Sequence, residues 1–94
     1  MKLIALYKHP EDVEAFEQEY AKHVKLVEQV PGLESVELTR LTKTLAGDGF
    51  YLMAEMRFPD ADTFKSAMRS PEMAATGADI NRFAGDLMTL MIGV

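Results

Sequence analysis

His23 is the residue whose type and position could do acid–base chemistry. It lies in a segment, Pro10 to Val30, where apolar residues recur at Val13, Phe16, Tyr20, Val24 and Val27. That is the three-or-four spacing of a helix with one buried face. At ~100° per residue His23 falls about 60° from Tyr20 and about 40° from Val27, so its ring points toward whatever that face packs on. Imidazole titrates near neutral pH and can both take and return a proton. Tyr20, on the same face, could donate a hydrogen bond to a carbonyl or phenolate oxygen. Leu6, Phe16, Met56, Phe64 and Phe83 would supply apolar walls, and soft methionine suits a ligand of variable shape. This equipment fits proton abstraction beside a carbonyl, followed by dehydration, isomerisation or reaction with oxygen. The same residues also fit a plain core, in which aromatic and methionine side chains pack and a buried histidine is hydrogen-bonded structure.

Other groupings carry less. Glu19 and His23 stand one helical turn apart and could chelate a metal, but no third ligand is in view. A hydrogen bond from the ring to Glu19 that steadies it is the simpler use of that spacing. His9 reads as a solvent-facing residue at a strand-to-helix junction. Gly47-Asp48-Gly49 is too short for a phosphate loop and no lysine of that motif follows. A Ser/His/Asp triad cannot be assembled with any specificity. The chain has no cysteine, which removes disulfides, a thiolate nucleophile and thiolate metal sites.

The elements that must position these residues follow the order strand, helix, strand, strand, helix, strand. Lys2 to Lys8 is a short apolar run closed by His9-Pro10. The long helix ends at Pro31-Gly32. Leu33 to Leu41 reads as an edge strand, and Gly47-Asp48-Gly49 as turn chemistry before a clear strand from Phe50 to Phe58. Asp60 or Asp62 can cap a short helix carrying Phe64, Ala67 and Met68. Ser70-Pro71-Glu72 is an N-cap, an N1 proline and a first-turn acid, so another helix starts there and runs to about Phe83-Ala84, with Gly77 a weak spot inside it. Leu87 to Val94 is a last strand. This βαββαβ order predicts one α+β domain over residues 1–94, a ferredoxin-like antiparallel four-stranded sheet with helices on one face.

Strand alternation assigns Ile4, Leu6, Phe50, Leu52, Ala54, Met56, Phe58, Met88, Leu90 and Ile92 to the face under the helices. The other parity, with Leu3, Ala5, Tyr7, Tyr51, Met53, Glu55, Arg57, Leu87, Thr89 and Met91, is too apolar to face water. A homodimer through that open sheet face is the expectation, with Glu55 and Arg57 partnered at or near it.

Composition sets the outer limits. Ninety-four residues suffice for a modest core. Ten Lys plus Arg against fifteen Asp plus Glu give a net charge of −5 without a basic run, so no nucleic-acid partner is expected. No apolar run approaches the ~20 residues of a membrane span and no signal peptide is evident, so the expectation is a cytoplasmic protein without a membrane partner.

Tyr7, Pro10, Asp12, Ala15-Phe16, Tyr20, His23 and Pro31-Gly32-Leu33 resemble the N-terminal half of the EthD (ethyl tert-butyl ether degradation) family. Ser70-Pro71-Glu72, Ala78-Asp79, Arg82-Phe83-Ala84 and Leu90-Met91-Ile92-Gly93 resemble its C-terminal half. The chain departs from the family at Lys25, where a proline often follows the histidine by two residues. The resemblance implies a dimeric α/β barrel of ferredoxin-like protomers. It also implies a small, mainly apolar ligand between helices and sheet, in a superfamily of cofactor-free monooxygenases, isomerases and haem-degrading enzymes. The expected function is a cofactor-independent enzyme (an oxidoreductase, dehydratase or isomerase) with His23 as base. The alternative is a non-catalytic accessory or small-molecule-binding protein assisting a monooxygenase. Haem at His23 enters only by that analogy, and no second haem determinant supports it.

Overall fold

A computed structural model describes residues 1–94. Strand β1 (Lys2–Tyr7) leads to helix α1 (Val13–Val27), then to β2 (Ser35–Arg40) and β3 (Leu52–Arg57), helices α2 (Ala61–Met68) and α3 (Pro71–Phe83), and β4 (Met88–Gly93). All strand pairings are antiparallel, in the order β2-β3-β1-β4. The ferredoxin-like plan therefore holds, with the second helical segment broken in two at Arg69-Ser70.

The helices start where the caps are. Asp12 accepts from the Ala15 amide at 3.0 Å, so α1 begins at Val13 and Pro10 lies outside it. Val13 itself is 40% exposed rather than part of the buried stripe. Asp60 caps α2 through the Thr63 amide at 2.7 Å, and Ser70 caps α3 through Met73 at 3.1 Å with Pro71 next in line.

The dimeric α/β barrel expected from the resemblance is not what the sheet forms. It is open: β2 and β4 are free edges, and four strands of six residues do not curl far enough to meet. Closure takes about eight strands at the usual tilt.

The β1 assignment is also corrected. Leu3, Ala5 and Tyr7 are buried under the helices, opposite Met56, Ala54 and Leu52 in register, while Ile4 and Leu6 point to the open face. Five consecutive apolar residues carry no alternation, so parity could not be read from β1 alone. Tyr51 likewise turns toward α1, where its hydroxyl donates to Glu17 and its ring stands edge-on to Phe16.

Beneath the helices the core is in two parts. One gathers Ala5, Tyr7, Phe16, Tyr20, Leu52 and Ile80 with their neighbours. The other gathers Leu3, Val27, Val30, Met56, Phe58 and Phe64 around α2. Gly32, with φ +79°, makes the turn from α1 toward β2, and a Cβ there would overlap Thr63 Cγ2 on α2. Gly32→Ala is expected to destabilise the protein by more than ~1 kcal/mol, since both backbone and packing object. In thermal unfolding, Thr63→Ser in the same chain should restore part of that loss by removing the obstructing methyl.

Candidate active site

α1 and α3 lie side by side on the sheet, and the buried face of each brings one titratable group to their contact. His23 Nδ1 meets Asp79 Oδ2 at 2.9 Å, across 56 residues of sequence. The imidazole is 5% exposed and the carboxylate 17%. Asp79 Oδ1 is held by Arg82 Nη2 at 3.0 Å and Nε at 3.3 Å, and Arg82 reaches Glu19 at 2.7 Å. Glu19 thus binds Arg82, and the ring-steadying role expected of it falls to Asp79.

Burial works against the charge on Asp79, but hydrogen bonds from His23 and Arg82 outweigh it and hold the carboxyl below its ordinary range. An ionised carboxylate only accepts, so Nδ1 carries the proton and Nε2 of the neutral ring is an acceptor. Nε2 makes no hydrogen bond within the chain. No buried side-chain nitrogen or oxygen lacks a partner, so Nε2 is an accessible atom.

What it reaches is a cavity of about 220 Å³ between the two core clusters. The walls are mainly aliphatic and methionine side chains from all four strands and all three helices. The only polar side chains are Tyr7, Tyr20, His23 and Thr76, and no lysine or arginine lines it. Thr76 is occupied: its hydroxyl donates to the Met73 carbonyl at 2.7 Å. Tyr20 donates to Tyr7 at 3.5 Å, a long contact, and their rings meet edge to face. Burial raises both phenols above their ordinary titration, so each stays a neutral donor.

Of the residues singled out by sequence, His23, Tyr20 and Met56 border the cavity together. Phe16 and Phe83 stand behind them: Phe16 stacks on Tyr20 at 5.4 Å, and Phe83 is edge-on to His23 at 6.1 Å. Phe64 packs on Phe58 in the other cluster, and Leu6 lies on the open face of the sheet, away from the cavity. Asp79 is the partner of His23 that the sequence did not reveal. It stands three residues after Thr76, beside the Met73–Thr76–Ile80 stripe of α3, a place flanking that face that it shares with Glu72, so the spacing alone did not single it out.

No group of three or more His, Asp or Glu side chains could hold a metal ion. Haem does not fit either: the space at Nε2 is about 220 Å³ and offers no cation to its propionates.

The Asp79–His23 pair makes stability depend on pH with a definite sign. A carboxyl depressed in the folded state contributes fully above its unfolded pKa, about 4, and the contribution is lost as pH falls through the lower folded value. Chemical denaturation between about pH 6 and 2 should show wild type converging on Asp79→Asn at the acid end. Asp79→Ala should cost about 1–3 kcal/mol near neutrality, because the buried imidazole loses its acceptor.

The EthD domain family matches this chain from residue 8 to residue 86. An uncharacterized 11.0 kDa protein from the thcB-thcC intergenic region of Rhodococcus erythropolis is 33% identical over 95 residues, covering 96% of this chain and 89% of its own. The crystal structure of an EthD family protein from Bacillus halodurans is 45% identical with a TM-score of 0.92, over 99% of this chain and 95% of that one. Hydroxynitrile lyase from Passiflora edulis is 14% identical with a TM-score of 0.75, over 96% and 87% of the two chains, a likeness of fold alone. Family, identity and superposition agree along nearly the whole length, and the chain belongs to the EthD family.

Proposed function

We propose that this protein is a small cofactor-independent acid–base enzyme that acts on an apolar aromatic or carbonyl compound, with His23 as general base. One observation carries the reading: Asp79 takes Nδ1 of His23 at 2.9 Å and leaves Nε2 open to an apolar cavity. Substrate enters the cavity and places an acidic C–H or O–H against Nε2. As the proton moves, the ring becomes an imidazolium and the Asp79 carboxylate stabilises the new charge, the role a buried acid plays behind any such histidine. Arg82 keeps that carboxylate ionised and aimed. In the Tyr7–Tyr20 pair one hydroxyl proton is spent between the two rings, and the other is free for the oxygen of the developing enolate or phenolate. The imidazolium then returns the proton at another atom, or the carbanion loses a leaving group or meets oxygen. Isomerisation, elimination and cofactor-free oxygenation share this first step. The fold neighbour named as a hydroxynitrile lyase supports the idea that so small a protomer can carry a lyase.

The test reads the proton transfer itself. Deuterium incorporation from D2O into the acidic C–H of small ketones and hydroxyaryl ketones should be catalysed by wild type. It should fall by about 10²–10⁴ in His23→Ala, with circular dichroism unchanged. Exchange that survives the substitution contradicts the base role. An unfolded variant makes His23 structural, and a wild type that binds these compounds without catalysing exchange supports an accessory binder.

The proposal includes an assembly. The open face carries Ile4, Leu6, Met53 and Met91 around charges of both signs: Lys2 bonds Glu55 at 3.1 Å, and Arg57 lies 3.9 Å from Glu55 and 3.8 Å from Glu37. A surface that is apolar at its middle and of mixed charge is self-complementary, and a second copy laid on it in two-fold symmetry would cover it. Light scattering on the purified protein should give twice the chain mass, and Met53→Asp should give the monomer. A cytoplasmic setting belongs to the same reading, in keeping with the lack of cysteine, and cell fractionation checks it.

A further inference from the structure

We propose that the ligand of this cavity is a small neutral phenol, one ring in size, seated with its hydroxyl between His23 Nε2 and the Tyr7–Tyr20 pair, and that Gly77 makes the room for it. This deepens the acid–base reading and rests on it only in using Nε2 as an acceptor.

Three properties of the walls select the class. The first is charge. No lysine or arginine faces the cavity, and no acid does either, so a ligand already carrying a charge would find no fixed counter-charge there. The second is hydrogen-bond polarity. Nε2 is an acceptor and needs a donor from the ligand, while the spare tyrosine proton needs an acceptor. A hydroxyl is both at once; a ketone meets only the tyrosine and an ether oxygen likewise. The third is wall chemistry and volume. Met56, Met68, Met73 and Met88 border the space, and thioethers make favourable contacts with aromatic rings. A dry engineered cavity of ~150 Å³ holds benzene. About 220 Å³ therefore takes a substituted single ring and leaves no place for a third fused one.

Gly77 is the residue that keeps the space open. It sits inside α3, where glycine weakens a helix, yet a Cβ added there meets nothing within 4 Å. Packing against a neighbour thus does not account for the glycine, and it borders the cavity. A Cβ at this position therefore meets no other residue, and a longer side chain would extend from the border of the cavity into ligand volume.

The experiment is equilibrium titration calorimetry of the full chain with p-cresol, toluene, benzoate and 9-phenanthrol. The expected order is p-cresol at least tenfold tighter than toluene, which lacks the donor, and than benzoate, which carries charge, with no heat from the tricyclic phenol. Gly77→Leu should weaken p-cresol at least tenfold, and Gly77→Ala, the milder filling, several-fold with the melting temperature kept or raised. Toluene or benzoate matching p-cresol, 9-phenanthrol binding as well, absence of p-cresol binding, or Gly77 variants with unchanged affinity would each overturn the assignment. Binding is read without turnover, so failure of the deuterium-exchange test leaves these outcomes standing. Failure here in turn leaves the base role of His23 to that other assay.

Discussion

The buried hydrogen bond between Asp79 and His23 is the constraint on which the rest of the site depends. An imidazole pressed between two helices and a sheet must find a partner for one nitrogen, or lose more than the packing returns. Asp79 supplies it from the neighbouring helix, and the cost of burying a carboxylate is offset by Arg82, which leads the charge out to Glu19 at the surface. The chain of contacts fixes the ring in one tautomer. It also clamps α1 to α3, the helix pair that covers the middle of the sheet.

With Nδ1 committed, the remaining chemistry is set by what surrounds Nε2. The two core clusters do not merge beneath the helices, and the gap between them is the cavity. The aromatic residues divide the labour. Tyr7 and Tyr20 face the gap, while behind them Phe16 stacks on the tyrosine and Phe83 stands edge-on to the imidazole. On the β4 side the helices stop short: Leu90 is 47% and Ile92 62% exposed although both lie on the face turned toward them. Two of the residues lining the cavity, Leu90 and Met68, are themselves partly exposed.

How much of this was legible follows from where the signals are local. Asp60, Ser70 and Pro71 cap and start their helices through contacts within three residues, so composition and spacing sufficed. His23 and Tyr20 could be placed on the buried face of α1 from periodicity alone. The parity of β1 could not, because Leu3 to Tyr7 is apolar throughout and only the register with β3 decides which side each residue takes. That error carried Leu6 to the wrong side of the sheet. The Asp79 partnership is a contact across 56 residues, and Glu19, a turn away from His23, was the local competitor. Arg82 decides between them by drawing Glu19 outward, a tertiary effect that one helix cannot reveal. The open sheet was illegible for a similar reason: barrel closure is a property of strand number and partners, not of any strand's sequence.

The central claim is a statement about one ring, and nitrogen NMR of that ring tests it most directly. Long-range 15N–1H correlation spectra of the protein at about pH 8.5, well above the ordinary imidazole titration near ~6.5, separate protonated from unprotonated ring nitrogens. The account predicts that His23 is a single tautomer with the proton on Nδ1 and a bare, pyridine-type Nε2, and that Asp79→Ala dissolves this preference. A His23 ring protonated at Nε2, or one that averages between tautomers in the wild type, would contradict it.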